Sequence, residues 1–442
     1  MPTWLDSSLG NPAEIHSWTP PDVEESWSWS ADQIRDWQLR QLNQQLRAIL
    51  PSNRFYQKKF ADAGLQLSNL DELAQLPLTS KQELVDSASA HSHDLSAHHT
   101  FPREQYSRLH RTSGTTGRPL MILDTSEDWG WWSSTWQHVL QAAGVSAGDR
   151  VFLAFSFGPF IGFWSAHQAC VDRGAIAIPG GGLSSLARLE FMRQTRPTVV
   201  CCTPSYALHL AEIAAHEKLS LTEIGVQRLI VAGEAGGSLP TVRSQLEQSW
   251  GARIIDHSGA TEIGPWGFGW PDRVGLQIIE TSFIAEYLPL ENQPPTAGLC
   301  ELVLTSLGRY GCPVFRYRTG DVVRRQTRDA EQSGSAKCGF TWLPDGVVGR
   351  ADSMVTVRGV NIFPSSIDTI VRELANLEYQ VIVTRQGMLD QLRIEVEAAA
   401  EQQHELEKLL STRLGLRVPV TAVPTNSLPR SELKSRRWVD RR

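Results

Sequence analysis

Cysteine is scarce in this chain. Six thiols in 442 residues, at positions 170, 201, 202, 300, 312 and 338, have neither the paired spacing of a zinc site nor the density of a disulfide framework. Reduced thiols in a cytoplasmic protein without structural zinc are the expectation. Long apolar runs are lacking too: no window holds about 18 apolar residues, and residues 1–11 have no basic segment followed by an apolar one. Neither a membrane span nor a signal peptide is expected. Charge of one sign is the third absence. The 42 basic and 48 acidic residues nearly balance, with no long like-charge run, so the electrostatic footprint of a nucleic-acid binder is missing. The basic end at Arg436, Arg437, Arg441 and Arg442 reads as a solvated segment.

What is present is length and alternation. A chain of this size exceeds one compact core, so a large body with a smaller satellite is expected. Ser30 and Gln33 form a capping-box pattern ahead of Ile34, Trp37, Leu42, Leu46 and Ile49, an amphipathic helix; a second helix start is expected at Thr79 and Gln82, after Pro77. From residue 151 onward short β-branched runs at 151–155, 175–179, 198–202, 228–233 and 253–256 read as strands, with helices at 184–195, 207–218 and 239–250 between the last four. That alternation predicts an α/β fold with parallel or mixed sheets flanked by helices, and ligands beyond the carboxyl ends of the strands. After about residue 290 the pattern changes: a Pro-containing connection at 293–296, a strand at 301–307 and a polar loop at 327–337. Past Arg350 the order becomes strand 354–358, helix 366–374, strands 380–384 and 392–397, helix 402–413 and strand 419–423, a self-contained α+β unit. Two domains follow, 1–350 and 351–442.

Five segments carry chemistry. Thr112-Ser-Gly-Thr-Thr-Gly-Arg-Pro119 offers hydroxyls and backbone N–H groups, with glycines that let the chain approach phosphate closely. It is not a Walker loop, since no Lys-Ser/Thr pair follows the second glycine. Asp256-His-Ser-Gly-Ala-Thr-Glu262 follows a strand; its first carboxylate suits an adenine amino group and its last suits Mg²⁺ beside phosphates, while a Thr-Glu pair taken alone equally suits a helix N-cap. In Arg316-Tyr-Arg-Thr-Gly-Asp321 the terminal carboxylate could take two ribose hydroxyls or pair with a surface arginine. The remaining segments are Gly349-Arg-Ala-Asp352, followed by Val357-Arg-Gly-Val-Asn-Ile-Phe-Pro364, and Leu428-Pro-Arg-Ser-Glu-Leu-Lys434.

In order and spacing these five segments resemble the adenylate-forming superfamily of acyl-CoA synthetases, and most closely its phenylacetate–CoA ligase branch. The resemblance runs from Trp37 through Phe55-Tyr56-Gln57-Lys58-Lys59-Phe60 and Leu76-Pro77-Leu78-Thr79-Ser80-Lys81 to Lys434. It implies ATP-dependent activation of a small carboxylic acid to its acyl-adenylate, followed by transfer to coenzyme A, with a large nucleotide-binding domain and a small swinging one. It further implies that Ser113, Gly114, Thr115, Thr116 and Gly117 hold the β- and γ-phosphates, helped by Arg118 where the family often has lysine. Asp256 would bind adenine with Thr261 in the nucleotide contact, Glu262 would hold Mg²⁺, Asp321 and Arg350 the ribose, and Asp352 would be the hinge. Lys434 would be the catalytic lysine, neutralising charge as the carboxylate attacks the α-phosphate. After adenylation the hinge would bring Gly359 in to leave room for the pantetheine arm of CoA. A homodimer is implied by the resemblance alone.

Two departures stand out. Ser258 occupies the place of a family tyrosine beside adenine, and the region 270–277 lacks the Cys and His clusters that bind zinc in some relatives. For the acid, Phe157, Phe160 and Trp164, closed by backbone at Gly233, are expected to form an aromatic slot suited to an aryl or arylacetic acid; an aromatic core stripe is the alternative. Two other functions remain open: an adenylating enzyme that hands its acyl group to a carrier protein or an amine, and a degenerate nucleotide-binding homologue.

Overall fold

The computed structural model describes residues 18–61, 66–90, 95–112, 119–155, 157–290, 298–325, 338–357, 360–386, 389–429 and 437–442. The expected site residues Ser113, Gly114, Thr115, Thr116, Gly117, Arg118, Gly359 and Lys434 lie outside them, as do the connection expected at 293–296 and the loop at 327–337.

An eight-stranded sheet organises the large body. Its parallel half runs Ile176–Pro179, Arg150–Leu153, Val199–Cys202, Arg228–Ala232 and Arg253–Ala260; it continues antiparallel through Gly264–Trp270, Arg273–Ile278 and Trp342–Leu343. Helices Ser185–Thr195, Pro204–His216 and Pro240–Trp250 connect the parallel strands, each begun by a residue that fixes its start: Ser184 and Thr203 accept from backbone N–H groups of the first turn, and Pro204 and Pro240 occupy first-turn positions where a missing N–H costs nothing. The inner parallel strands are buried on both faces, Val199–Cys202 completely so, while the edge strand Ile176–Pro179 is largely exposed. Helix Ser126–Ala142 lies against the antiparallel half and carries Trp129, Trp131, Trp132 and Trp136, all buried.

The antiparallel half escapes a sequence reading for a physical reason. Gly264–Trp270 is buried at every position, so its side chains show no period of two. A second, four-stranded antiparallel sheet, in the order Phe283–Pro289, Leu299–Ser306, Tyr317–Arg324, Val347–Arg350, leads to the smaller unit.

Helix Ala31–Ile49 has the expected Ser30–Gln33 capping box. The next expected start moves by one residue. Helix Lys81–Ala90 is capped by Ser80, whose Oγ accepts from the Glu83 N–H at 3.3 Å while Glu83 accepts from Ser80 N at 2.7 Å. Thr79 is unavailable as a cap because its backbone pairs with the Tyr317 strand: its N–H donates to Arg316 O at 2.8 Å and its carbonyl accepts from Arg318 N at 2.8 Å.

Residues beyond Arg350 form their own hydrophobic cluster around Ile367, Val371, Val381, Ile394 and Leu406. Its sheet runs Val420–Val423, Leu389–Glu397, Tyr379–Gln386, Trp438–Asp440, backed by helices Pro364–Leu374 and Ala400–Leu414. Two short strands went unexpected. Val360–Ile362 pairs with Val355–Val357, and Trp438–Asp440 adds a parallel edge to Tyr379–Gln386.

Candidate active site

The carboxyl ends of the parallel strands open into a cavity of about 1680 Å³ that reaches from helix Ile161–Asp172 to the small unit. Asp256, Thr261, Glu262, Asp321, Arg350, Phe160 and Gly233 all line it. Residues far apart in sequence therefore meet in one cavity.

Asp256 sits on the last parallel strand and is 7% exposed. Ser238, at the head of helix Pro240–Trp250, donates its hydroxyl to Asp256 Oδ2. Burial pushes the Asp256 carboxyl up to about 7, against the hydrogen bonds that favour its charged form. A Cβ on Gly237 would come within 2.6 Å of Asp256 Oδ1, so the chain passes the carboxylate too closely for any side chain there.

The strand then turns. Residues 261–263 form a tight hairpin into Gly264–Trp270, with Ile263 N donating to Ala260 O at 3.2 Å; the helix N-cap compatible with Thr261-Glu262 is not formed. The turn aims Glu262 into the cavity, where its carboxylate is 2.8 Å from Lys81 Nζ at the start of helix Lys81–Ala90. Its backbone is held from behind by Arg309, whose Nη1 donates to the carbonyls of Thr261 and Glu262 at 3.1 Å each. The other edge of the same guanidinium grips Asp124 Oδ1 at 3.0 and 2.7 Å, and both side chains are fully buried. Burial works to raise the Asp124 pKa, but the Arg309 charge and hydrogen bonds hold it below the usual carboxylate range. Asp124 lies on Met121–Thr125, which pairs with Tyr106–Arg111 across the segment 112–120. One buried ion pair thus ties the strand leaving the glycine-rich segment to the Glu262 turn.

Asp321 and Arg350 are directly opposed on neighbouring strands. Arg350 Nη1 donates to Asp321 Oδ1 at 3.3 Å and to Thr319 O at 3.0 Å. Gly320, at φ +75°, makes the space: a Cβ there would be 2.6 Å from Arg350 Nη2. Thr319 fixes the turn by donating to Leu302 O at 2.7 Å and accepting from Asp321 N at 3.0 Å. The arginine–aspartate pair left open by the sequence is present and lies inside the cavity.

At the opposite end the wall is aromatic, but it is built differently from the expected slot. Phe160 and Gly233 line it, whereas Phe157 and Trp164 pack edge to face on one another at 4.9 Å, and Trp164 is 43% exposed with its indole N–H on Gly158 O. Neither belongs to the cavity wall. Helix Ile161–Asp172 turns Phe163, Ser165 and Ala166 inward instead, and Trp132, Trp136, Phe155 and Trp266 complete the wall. His257 joins them, its ring 4.3 Å from Trp136 and its Nδ1 2.7 Å from Gly267 O. Burial pushes its pKa down to about 4. Lys81, Arg309, Asp124, Ser238, Trp136 and His257 were missed by sequence reasoning. Lys81 had a signal, as the end of the Leu76–Lys81 stretch, and His257 stands inside the Asp256–Glu262 segment; nothing local marks the other four.

The small unit closes the cavity with Pro364, Ser365, Arg372, Glu378, Pro429 and Arg437. The two units touch through Gln245 Nε2 on Arg372 O at 3.2 Å, Asn376 Nδ2 on Glu212 at 3.1 Å and Ser365 Oγ on Val348 O. Asp352 lies between them in the 3-10 turn Ala351–Ser353. Pro429 and Arg437, the described residues that flank segment 430–436, both line the cavity; Arg437 is bound to Glu378 at 2.9 Å and stacked on Tyr379.

Residues 40–283 match the AMP-binding enzyme family, and residues 359–442 match the AMP-binding enzyme C-terminal domain. The phenylacetate-coenzyme A ligase of Pseudomonas putida is 30% identical over 437 residues, covering 93% of this chain and 95% of that protein, and that of Escherichia coli strain K12 is 30% identical over 441 residues, covering 93% and 96%. The crystal structure of a 2-hydroxyisobutyryl-CoA ligase in its postadenylation state, in complex with R3-HIB-AMP, superposes with a TM-score of 0.87 at 27% identity, covering 99% of this chain and 95% of that one. The same ligase with CoA in its thioesterification state gives 0.70. With matches of this extent in both units, this chain belongs to the AMP-binding enzyme family.

Proposed function

We propose that this chain is an AMP-forming acid–CoA ligase. A carboxylate oxygen attacks the α-phosphorus of ATP and pyrophosphate leaves; the thiol of coenzyme A then attacks the acyl-adenylate carbonyl and AMP leaves. The observation that carries this is the meeting of Asp256, Glu262, Asp321 and Arg350 in a single cavity, in an arrangement no single stretch of sequence imposes.

Asp256 accepts from the adenine amino group, Thr261 lies in the same nucleotide contact, and Asp321 with Arg350 takes the ribose hydroxyls. Segment 113–117, with Ser113, Gly114, Thr115, Thr116 and Gly117, holds the outer phosphates. The residues present suit Mg²⁺: Glu262 is a buried carboxylate that already attracts a cation, the Lys81 ammonium, and one carboxylate with phosphate oxygens is a sufficient ligand set for that ion. Bound there, Mg²⁺ would neutralise phosphate charge. Lys434 brings a cation to the charge that develops as pyrophosphate departs. Residues 1–350 and 351–442 act as two bodies hinged at Asp352, and the fall in structural likeness between the postadenylation and thioesterification forms of the related ligase supports that alternation. Gly359 then faces the pantetheine arm.

The acid is an aryl or arylacetic one. The aromatic wall of Trp136, Phe155, Phe160 and Trp266 supports this, as does the substrate named for the phenylacetate ligases. Pyrophosphate release with candidate acids, with and without CoA, is the test. Acid-dependent release together with CoA thioester formation is expected. Release without thioester would move the acceptor to a carrier thiol or an amine, and no release with any acid would leave a nucleotide-binding homologue.

A further inference from the structure

His257 holds an unused acceptor at the acid end of the cavity. Its Nδ1 lies 2.7 Å from the carbonyl of Gly267, and a carbonyl only accepts, so the ring proton is on Nδ1. The ring is neutral at pH 7, since burial lowers its pKa to about 4. Nε2 is therefore a bare lone pair, without a partner among the described residues, on a side chain that lines the cavity. Its neighbours are satisfied internally. Trp136 donates to Ser165 Oγ at 3.0 Å, Ser165 donates to Gly162 O at 3.0 Å, and Trp132 donates to Asp124.

Position decides which ligand this atom meets. Asp256 and His257 are consecutive on one strand, so their side chains leave opposite faces of the sheet. Asp256 turns towards Ser238, and His257 towards Trp136 on helix Ser126–Ala142. If the nucleotide occupies the Asp256 side, the histidine faces the acid. We infer that the acid carries a hydrogen-bond donor, a hydroxyl or amino group, on the part packed against Trp136, and that His257 Nε2 accepts from it. This rests on the ligase reading above and narrows its substrate class from an aromatic acid to a donor-substituted one. An unsubstituted acid would leave the lone pair desolvated and unpaired, a loss equivalent to about 10–100-fold in discrimination.

The test uses the full chain and matched acids that differ by one donor: 2-hydroxyisobutyrate against isobutyrate, mandelate and 4-hydroxyphenylacetate against phenylacetate, and anthranilate against benzoate. The readout is kcat/KM for acid-dependent pyrophosphate release. At least one donor-bearing acid should exceed its partner by about 10–100-fold, and its methyl ether or N,N-dimethyl derivative, which cannot donate, should lose that advantage. His257→Leu should bring the ratio to within about threefold, while His257→Gln, which keeps an acceptor oxygen, should retain part of it. A wild-type ratio within about threefold for every pair overturns the inference even if both variants fail to fold, and so does a preference that survives in a folded His257→Leu. Pyrophosphate release from unsubstituted acids at equal rates would sink this inference and leave the ligase reading standing. No release with any acid would sink both.

Discussion

Arg309→Met tests how the Glu262 side of the cavity is held. The guanidinium makes two bonds to Asp124 and two to the carbonyls of Thr261 and Glu262, all out of water. Removing it strands the Asp124 carboxylate in the core, and breaking a buried pair from one side costs about 3–5 kcal/mol. Removing both charges should cost much less, because the expensive species is the lone buried ion. Asp124→Asn keeps an acceptor for the Trp132 indole, which donates to Oδ1 at 3.2 Å, so the double variant should recover most of the lost stability. Function should not recover in parallel. The Thr261 and Glu262 carbonyls lose their donor in Arg309→Met and in the double variant alike, and a charged hydrogen bond is worth about 1.5–3 kcal/mol, so the KM for Mg·ATP should stay raised by roughly tenfold or more in both. Denaturant midpoints and pyrophosphate-release kinetics on wild type, both singles and the double measure the two effects separately. A single Arg309→Met within about 1 kcal/mol of wild type, or a double variant no more stable than that single, would refute the reasoning.

Three further outcomes follow from the proposed function and from the geometry of the cavity. Lys434→Ala should slow adenylation by about 10²–10³ while barely changing thioester formation from a supplied acyl-adenylate; equal loss in both half-reactions would remove Lys434 from its role. Asp256 binds its proton more tightly folded than unfolded, with a folded pKa of about 7, so stability falls as pH rises from the unfolded carboxylate range to about 7 and levels off above it. Asp256→Asn should flatten that slope in thermal unfolding scans, and an unchanged profile would place the titration elsewhere. Asp321→Asn should raise the ATP KM by about tenfold or more through loss of a charged ribose contact, with little effect on the KM for the acid; an effect confined to the acid would reassign Asp321.

Sequence patterns revealed the parallel half of the main sheet because each of its strands is a short β-branched run set between amphipathic helices. They also placed Glu262, Asp256 and Asp321 among the candidates, since carboxylates after strand ends and turn glycines are local signals, whereas the role expected of Arg350 came from the family resemblance. They could not reveal the antiparallel half, where Gly264–Trp270 has two buried faces. Phe157 and Trp164 fall outside the cavity wall for a related reason: Phe157, Phe160 and Trp164 are close in sequence, but helix Ile161–Asp172 sends Trp164 outward and Phe163 inward. Arg309 was illegible because its partners, Asp124 and the 261–262 turn, are remote along the chain. A hydrogen bond to a distant carbonyl leaves no trace in local composition.

The strand Trp438–Asp440 has a mechanical consequence. It is stitched beside Tyr379–Gln386, with Val381 N on Arg437 O and Arg441 N on Val383 O, while Leu428 N is moored to Glu397 on the same small sheet. The described residues on either side of 430–436 are thus two abutments on one bank. Any turn of that bank carries both abutments together, so on the proposed role of Lys434 its approach to the nucleotide depends on both staying tied. Untying one abutment, by replacing Val439 with proline at the edge of the sheet, should decouple the lysine from that rotation and slow the first half-reaction more than the second.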